Sequence, residues 1–134
     1  ASAFAARIAD AELDGEGTIE HGDLSPRRDF TDVRDVVRAY RLLATRATAG
    51  ETYNICSGTD VAISDLLEQL VGMATVRVDT MIEDQLYRPV DLPVLRGSHA
   101  RLTADTGWTP ENPLDQTLQD VLNDARSRAA SKPN

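Results

Sequence analysis

The chain has 134 residues, with 14 Lys and Arg against 22 Asp and Glu, for a net charge of −8. That sign opposes non-specific attraction to nucleic acid or to an anionic membrane, so neither is expected as a partner. Hydrophobic content of 41% and charged content of 27% exclude a disordered composition, and no apolar run approaches the roughly 18 residues of a membrane span.

The expectation is one domain over residues 1–134, or a piece of a larger one, ending in a polar tail at about 127–134. The start, Ala1-Ser2-Ala3-Phe4-Ala5-Ala6-Arg7, lacks Met and has no basic leader followed by an apolar stretch, so no signal peptide is expected. Cys56 is the single cysteine and allows no internal disulfide, which fits a cytoplasmic protein; in its apolar context it reads as a small buried hydrophobe.

In chain order, Phe4, Ile8 and Leu13 among alanines predict a helix over 3–13, ending at Gly15. Residues 18–22 read as a short strand. Residues 23–34, with turn formers and three arginines, read as a loop exposing charge. Val36, Val37, Tyr40, Leu43 and Ala44 mark one face of a helix over about 33–46, closed near Gly50. Tyr53-Asn54-Ile55-Cys56 reads as a second strand with a turn at Ser57-Gly58.

Ser64 is a candidate cap for a helix with Leu66, Leu67, Leu70 and Val71 on its apolar face. Residues 75–79 alternate like an edge strand. Two prolines exclude regular helix over 86–97. A helix over about 98–106 stops at Gly107, and Asn112-Pro113 with Asp115 predicts the start of a last helix, Asn112 as cap and Pro113 in its first turn. The layout is mixed and helix-rich, with strands too short to form a convincing sheet alone, so they would complete a sheet supplied by other sequence.

Neither G-x-G-x-x-G nor G-x-x-x-x-G-K-[ST] occurs, and no G-x-S-x-G elbow supports a hydrolase. His21 and His99 lie apart with no ligand-spaced neighbours, so no metal site is expected. The arginines stand out instead. Arg27, Arg28 and Arg34 fall within eight positions of an acidic chain. Guanidinium groups bind phosphate oxygens through paired hydrogen bonds, which suits a diphosphate. A network of ion pairs with Asp29, Asp32 and Asp35 accounts for the same spacing, and both readings stay open. Arg88-Pro89-Val90-Asp91 poses the same choice, between a clamp for phosphate and ribose hydroxyls and a surface turn.

Four ordered motifs carry a resemblance: residues 22–40 (GDLSPRRDFTDVRDVVRAY), 50–58 (GETYNICSG), 88–93 (RPVDLP) and 106–110 (TGWTP). From about Ala3 to Asp124 the chain resembles the NAD-dependent epimerase/dehydratase family, the extended short-chain dehydrogenases acting on nucleotide sugars. Its pattern is similar to the branch of GDP-mannose 4,6-dehydratase and GDP-4-keto-6-deoxy-mannose reductase, with Arg28-Asp29-Phe30-Thr31-Asp32-Val33-Arg34-Asp35 closer to the reductase.

The resemblance implies an α/β fold: the carboxy-terminal portion of such an enzyme, with the amino-terminal Rossmann half missing. It implies substrate contacts from Arg28 to the diphosphate, assisted by Arg27, from Arg88 to phosphate or nucleoside, and from Asp91 to ribose hydroxyls. Trp108 is expected to pack. Where relatives carry Gly-Asn-Leu this chain has Gly22-Asp23-Leu24, an added negative charge near the expected phosphate. At Gly97-Ser98-His99-Ala100-Arg101 it keeps a positive charge but not the relatives' acid and amide.

The cofactor loop and the Ser/Thr–Tyr–Lys catalytic group belong to the missing half. No catalytic residue and no cofactor are therefore expected on this chain, NAD(P) being bound by the other half, and turnover requires both. The expected ligand is a GDP-linked sugar and the expected partners are the Rossmann half and, in the intact protein, a second copy. A non-catalytic fragment or partner-binding module reusing the fold is the alternative.

Overall fold

The computed structural model describes residues 1–86 and 92–131. Helix α1, Ser2–Asp14, ends where Gly15 turns left-handed (φ 91°) and donates its N–H to the carbonyl of Ala11. Strand β1, Glu16–His21, follows at once and lies back on α1. Gly17 is required there, because a Cβ would come within 2.4 Å of the Ala11 Cβ. Strand β2, Arg27–Asp29, leads to helix α2, Val33–Arg46, then strand β3, Asp60–Ala62, and helix α3, Ile63–Gly72. Strand β4, Arg77–Ile82, returns to pair with β1 in parallel, from Glu16↔Arg77 to His21↔Ile82. A short 3-10 turn, Asp84–Leu86, strand β5, Val94–Leu95, helix α4, Ala100–Thr106, and helix α5, Leu114–Ala130, complete the described chain.

Two sheets result. One is the β1–β4 pair, and the other has the order β3-β2-β5, antiparallel between β2 and β3 and parallel between β2 and β5. The main core lies where α1, α3 and α5 meet β1: Ile8, Ile19, Leu66, Leu70, Leu118 and Leu122 are all essentially fully buried. A second, smaller core joins Ala39 of α2, Leu102 of α4 and Trp108.

Buried charge organises what lies between the cores. Asp32 caps α2, its carboxylate accepting from the backbone N–H and guanidinium of Arg34 and from the hydroxyl of Thr117 on α5. Asp35, 1% exposed, accepts from the N–H groups of Glu111 and Asn112 and from the Arg38 guanidinium. Its own carbonyl accepts from the Trp108 indole at 3.0 Å. Burial works against the charge on Asp35, yet the Arg38 bond and the two backbone donors outweigh it and hold the carboxyl below its ordinary value. On the opposite side, Glu12 of α1 grips Arg126 of α5 through two 2.7 Å bonds and accepts from the N–H of Thr75.

Several expectations change in the folded chain. The loop expected over 23–34 contains β2, whose backbone partners come from β3 and β5, distant in sequence. The strand expected at 53–56 is irregular chain; Tyr53 and Ile55 pack on the second core, and the strand forms later, at β3. Ser64 does not cap α3. Ala62 is the cap residue, and the first free N–H groups, of Ile63 and Ser64, donate to the carbonyls of Pro26 and Leu24, so no side-chain cap is needed.

Pro113, not Asn112, is the cap residue of α5, and the Asn112 N–H, one residue earlier, donates to Asp35. The face of α2 is rotated from the expected one: Asp35 and Ala39 are buried, while Val37 and Tyr40 are 52% and 62% exposed. The edge strand expected at 75–79 forms at 77–82, and α5 runs to Ala130, through the first half of the expected tail.

Two outcomes test this arrangement. Asp35→Ala removes the acceptor of two part-buried N–H groups and one of the partners of the Arg38 guanidinium, and is expected to cost roughly 3 kcal/mol in denaturant unfolding. Glu12 is held down to about 2 from an ordinary 4.5, chiefly by the Arg126 hydrogen bond. A depressed folded-state value stabilises the fold above the unfolded value and is lost as pH falls through the folded one. The melting-temperature gap between wild type and Glu12→Gln is therefore expected to be full above about 4.5 and to close towards pH 2. A gap that does not vary with pH would contradict the clamp.

Candidate functional site

Side chains alternate across a strand, so the three residues of β2 divide between the two faces of its sheet. Arg27 and Asp29 share one face and Arg28 takes the other. Arg27 is committed to Asp60 of β3, bonding its carboxylate through Nε and its carbonyl through Nη2 at 2.9 Å. Arg96 approaches the other oxygen of the same carboxylate at 3.3 Å. Two guanidinium groups thus share one acid, and the Arg27 hydrogen bond, more than the opposing burial, holds Asp60 below its ordinary value.

Arg28 has different partners. Its Nη1 donates to the carbonyls of Arg27 at 2.7 Å and Leu92 at 3.0 Å. Both partners are neutral, and among the described residues Arg28 has no carboxylate partner. Its Nε and Nη2 have no partner among those residues either, and this is the edge through which a guanidinium meets phosphate in a bidentate pair. Arg28 lines a cleft of about 980 Å3 between β2, the end of α2, the 47–56 segment and the chain after β5. Tyr40, Tyr53 and Asn54 line the same cleft. The cleft therefore offers a half-buried cation with an open bidentate edge, flanked by aromatic rings.

The other arginine of the segment is structural. Arg34 forms a bidentate pair with Asp32 at 2.9 and 2.7 Å and also meets Asp120 at 2.9 Å. The Arg34 hydrogen bond, opposed by burial, holds Asp32 far below the carboxylate range. Of the ion pairs expected, Arg34 takes Asp32, whereas Arg27 takes Asp60 and not Asp29, Asp32 or Asp35; Arg28 keeps an open guanidinium edge among the described residues. Arg88 and Asp91 lie outside the described residues; the motif that carries them runs directly into Leu92, whose carbonyl Arg28 holds.

Asp29 is a residue the sequence marked only as a potential ion-pair partner. Its two oxygens accept four hydrogen bonds, from Ser57 N–H at 2.8 Å, Ser57 Oγ at 2.7 Å, Gly58 N–H at 2.9 Å and Gly97 N–H at 3.3 Å. None comes from a cation. Nothing in the local spacing announces this, since the donors are 28 to 68 residues away.

Asp23 lines a different cleft, of about 880 Å3, with His21, Glu68 and Asp79. Its carboxylate accepts from the Ser25 N–H at 2.8 Å. The added negative charge therefore borders another cleft from Arg28. His21 is bonded to the Gly22 carbonyl, while His99 meets Thr103 Oγ1 and sets its ring edge-on to Trp108. Trp108 is fully buried. Cys56 is buried, and that burial pushes its thiol up. Among the described residues no group of three or more His, Cys, Asp or Glu could hold a metal ion, and no helix is long and apolar enough to cross a membrane.

A family described as GDP-mannose 4,6 dehydratase matches residues 2–121. A GDP-6-deoxy-D-mannose reductase of Pseudomonas aeruginosa is 41% identical over 110 residues, which are 82% of this chain and 36% of the relative. The structure of RMD from Pseudomonas aeruginosa complexed with NADPH superposes with a TM-score of 0.86 at 37% identity, over 95% of this chain and 42% of that one. MoeE5 in complex with UDP-glucuronic acid and NAD gives 0.74 at 28% identity, over 93% and 42%. The chain thus spans little more than a third of that curated relative, and its mixed, helix-rich fold is that of part of an extended short-chain dehydrogenase.

Close packing under the cleft makes one substitution diagnostic. A Cβ at Gly97 would lie 2.6 Å from the Cys56 sulfur and 3.0 Å from its Cβ. Gly97→Ala is expected to destabilise by about 1–3 kcal/mol, the range for overpacking, and Cys56→Ala in the same chain to restore most of the loss. Thermal unfolding of the two variants checks it.

Proposed function

Because the chain belongs to the GDP-mannose 4,6 dehydratase family within the NAD-dependent epimerases and dehydratases, we propose that it is the nucleotide-sugar-binding part of a GDP-sugar reductase or dehydratase. The observation that carries this reading is Arg28: a guanidinium anchored by two carbonyls through Nη1, with its bidentate edge open at a cleft. In a chain of net charge −8, a cation without a carboxylate partner among the described residues favours an anionic ligand locally. Arg28 grips the diphosphate, with Arg27 securing the strand beneath it through Asp60. Arg88 holds phosphate or nucleoside, and Asp91 the ribose hydroxyls. The similarity to a GDP-6-deoxy-D-mannose reductase supports a guanosine nucleotide over a uridine one.

Hydride transfer in this family is the chemistry of NAD(P). This chain carries no G-x-G-x-x-G sequence to cradle a dinucleotide, so that cofactor and the catalytic group are assigned to the rest of the intact protein. Turnover then needs both parts, in the cytoplasm and in a homodimer. Exposed apolar side chains on α2, Val33 and Val37, and at the end of β4, Met81 and Ile82, support contacts with the remainder of the protein.

In the intact protein, Arg28→Ala is expected to weaken GDP binding by about 1.5–3 kcal/mol, the range for a hydrogen bond to a charged group. GDP is expected to raise the melting temperature of the wild type more than UDP does at equal concentration. An unchanged dissociation constant in Arg28→Ala removes Arg28 as a phosphate ligand, and an equal response to UDP removes the guanosine preference.

A further inference from the structure

We propose that Asp29 is a positioning residue for the anion site, holding Arg28 in place through the strand and the segment on which Arg28 is anchored. This rests on the reading of Arg28 as a phosphate ligand. Arg28 and Asp29 are neighbours on β2, where successive side chains alternate, and both line the cleft. Each holds one end of the same segment. Arg28 Nη1 bonds the carbonyl of Leu92, and Asp29 Oδ2 accepts the N–H of Gly97. Between these two ties, regular pairing of β2 with β5 covers only Arg27↔Val94 and Arg28↔Leu95, with one further bond from the Arg27 N–H to the Pro93 carbonyl. A parallel pairing of two residues is too short to hold register alone.

The other oxygen of Asp29 takes the Ser57 N–H and hydroxyl, and Gly58 donates beside Gly97. The turn before β3 and the chain after β5 are therefore fastened to one carboxylate under the middle strand. All four partners donate, so the position requires two accepting oxygens; an amide would turn its NH2 group towards at least one backbone N–H. With Asp29 gone, the 92–97 segment loses its tie at Gly97 and keeps the two-residue pairing, the Pro93 and Leu92 carbonyl bonds and the Arg96–Asp60 pair. The Leu92 carbonyl shifts, and with it the anchor that aims the open edge of Arg28 into the cleft.

A structural role alone would weaken every ligand alike, so two ligands separate the cases. Dissociation constants for GDP and for guanosine, which lacks phosphate, are measured on the intact protein as wild type, Arg28→Ala, Asp29→Ala and the double variant. Asp29→Ala is expected to weaken GDP about tenfold and guanosine less than about twofold, and to add less than about twofold once Arg28 is already Ala. Equal losses for both ligands, or a fully additive double variant, would overturn the positioning role while leaving Arg28 as ligand. If Arg28→Ala itself leaves GDP binding unchanged, the phosphate reading falls and this proposal with it. Should Asp29→Ala fail to fold, Ser57→Ala removes one donor and keeps the carboxylate. It is expected to weaken GDP about threefold with guanosine unchanged, and no change for GDP would overturn the proposal.

Discussion

Two carboxylates at the start of α2, one at its cap and one in its first turn, hold together parts of the chain that have little else in common. Asp32 and Asp35 are 5% and 1% exposed, so their charge is affordable only where donors surround it. Asp32 finds them in the helix N-terminus, Arg34 and Thr117; Asp35 finds them in Arg38 and the backbone of Glu111 and Asn112. The partners of these two residues therefore include the start of α5, the turn that delivers Trp108, and α2 itself. Once those are placed, the second core around Trp108 has its walls.

The same use of carboxylates recurs at the cleft with a different purpose. Asp60 neutralises Arg27 and part of Arg96 on one face of the small sheet, and Asp29 serves backbone donors there. The opposite face is left to Arg28, whose partners are carbonyls. Alternation along three residues of one strand thus separates a satisfied, load-sharing side from a side with an unfilled guanidinium edge. A strand is better suited to this than a loop, because its pleat prevents Arg28 from folding back to the acids beneath it.

The strands are short for a fold of this size, and the surface shows what that leaves uncovered. β1 pairs with β4 alone among the described residues, while Val33, Tyr40 and Ile82 are 70%, 62% and 70% exposed. Relatives of this chain are more than twice as long as the part it matches. The three-helix core of α1, α3 and α5 is nonetheless well packed, with Ile8, Leu66, Leu70 and Leu122 at 0% exposure.

Helices were the legible part of the sequence, because their apolar residues recur locally: α1, α2 and α4 lie within one or two residues of where periodicity places them, and Gly15 and Gly107 end theirs in left-handed turns. The short motifs were legible as well, and with them the family. Strands of three residues were not. Arg27–Asp29 and Asp60–Ala62 are strands because they lie beside each other and, for the first, beside Val94–Leu95, and neither run has an alternation long enough to show it.

Caps misled for a related reason. Ser64 and Asn112 have the chemistry of a cap, but at α3 the carbonyls of Leu24 and Pro26 take the first N–H groups, and Asn112 lies one residue before the cap position of α5. Composition and order of residues determined that arginines and aspartates crowd residues 27–35. Which arginine is neutralised, and which is left open to a ligand, was decided by the pleat of β2 and by acids and carbonyls up to 64 residues away, because charge pairing depends on distance in space.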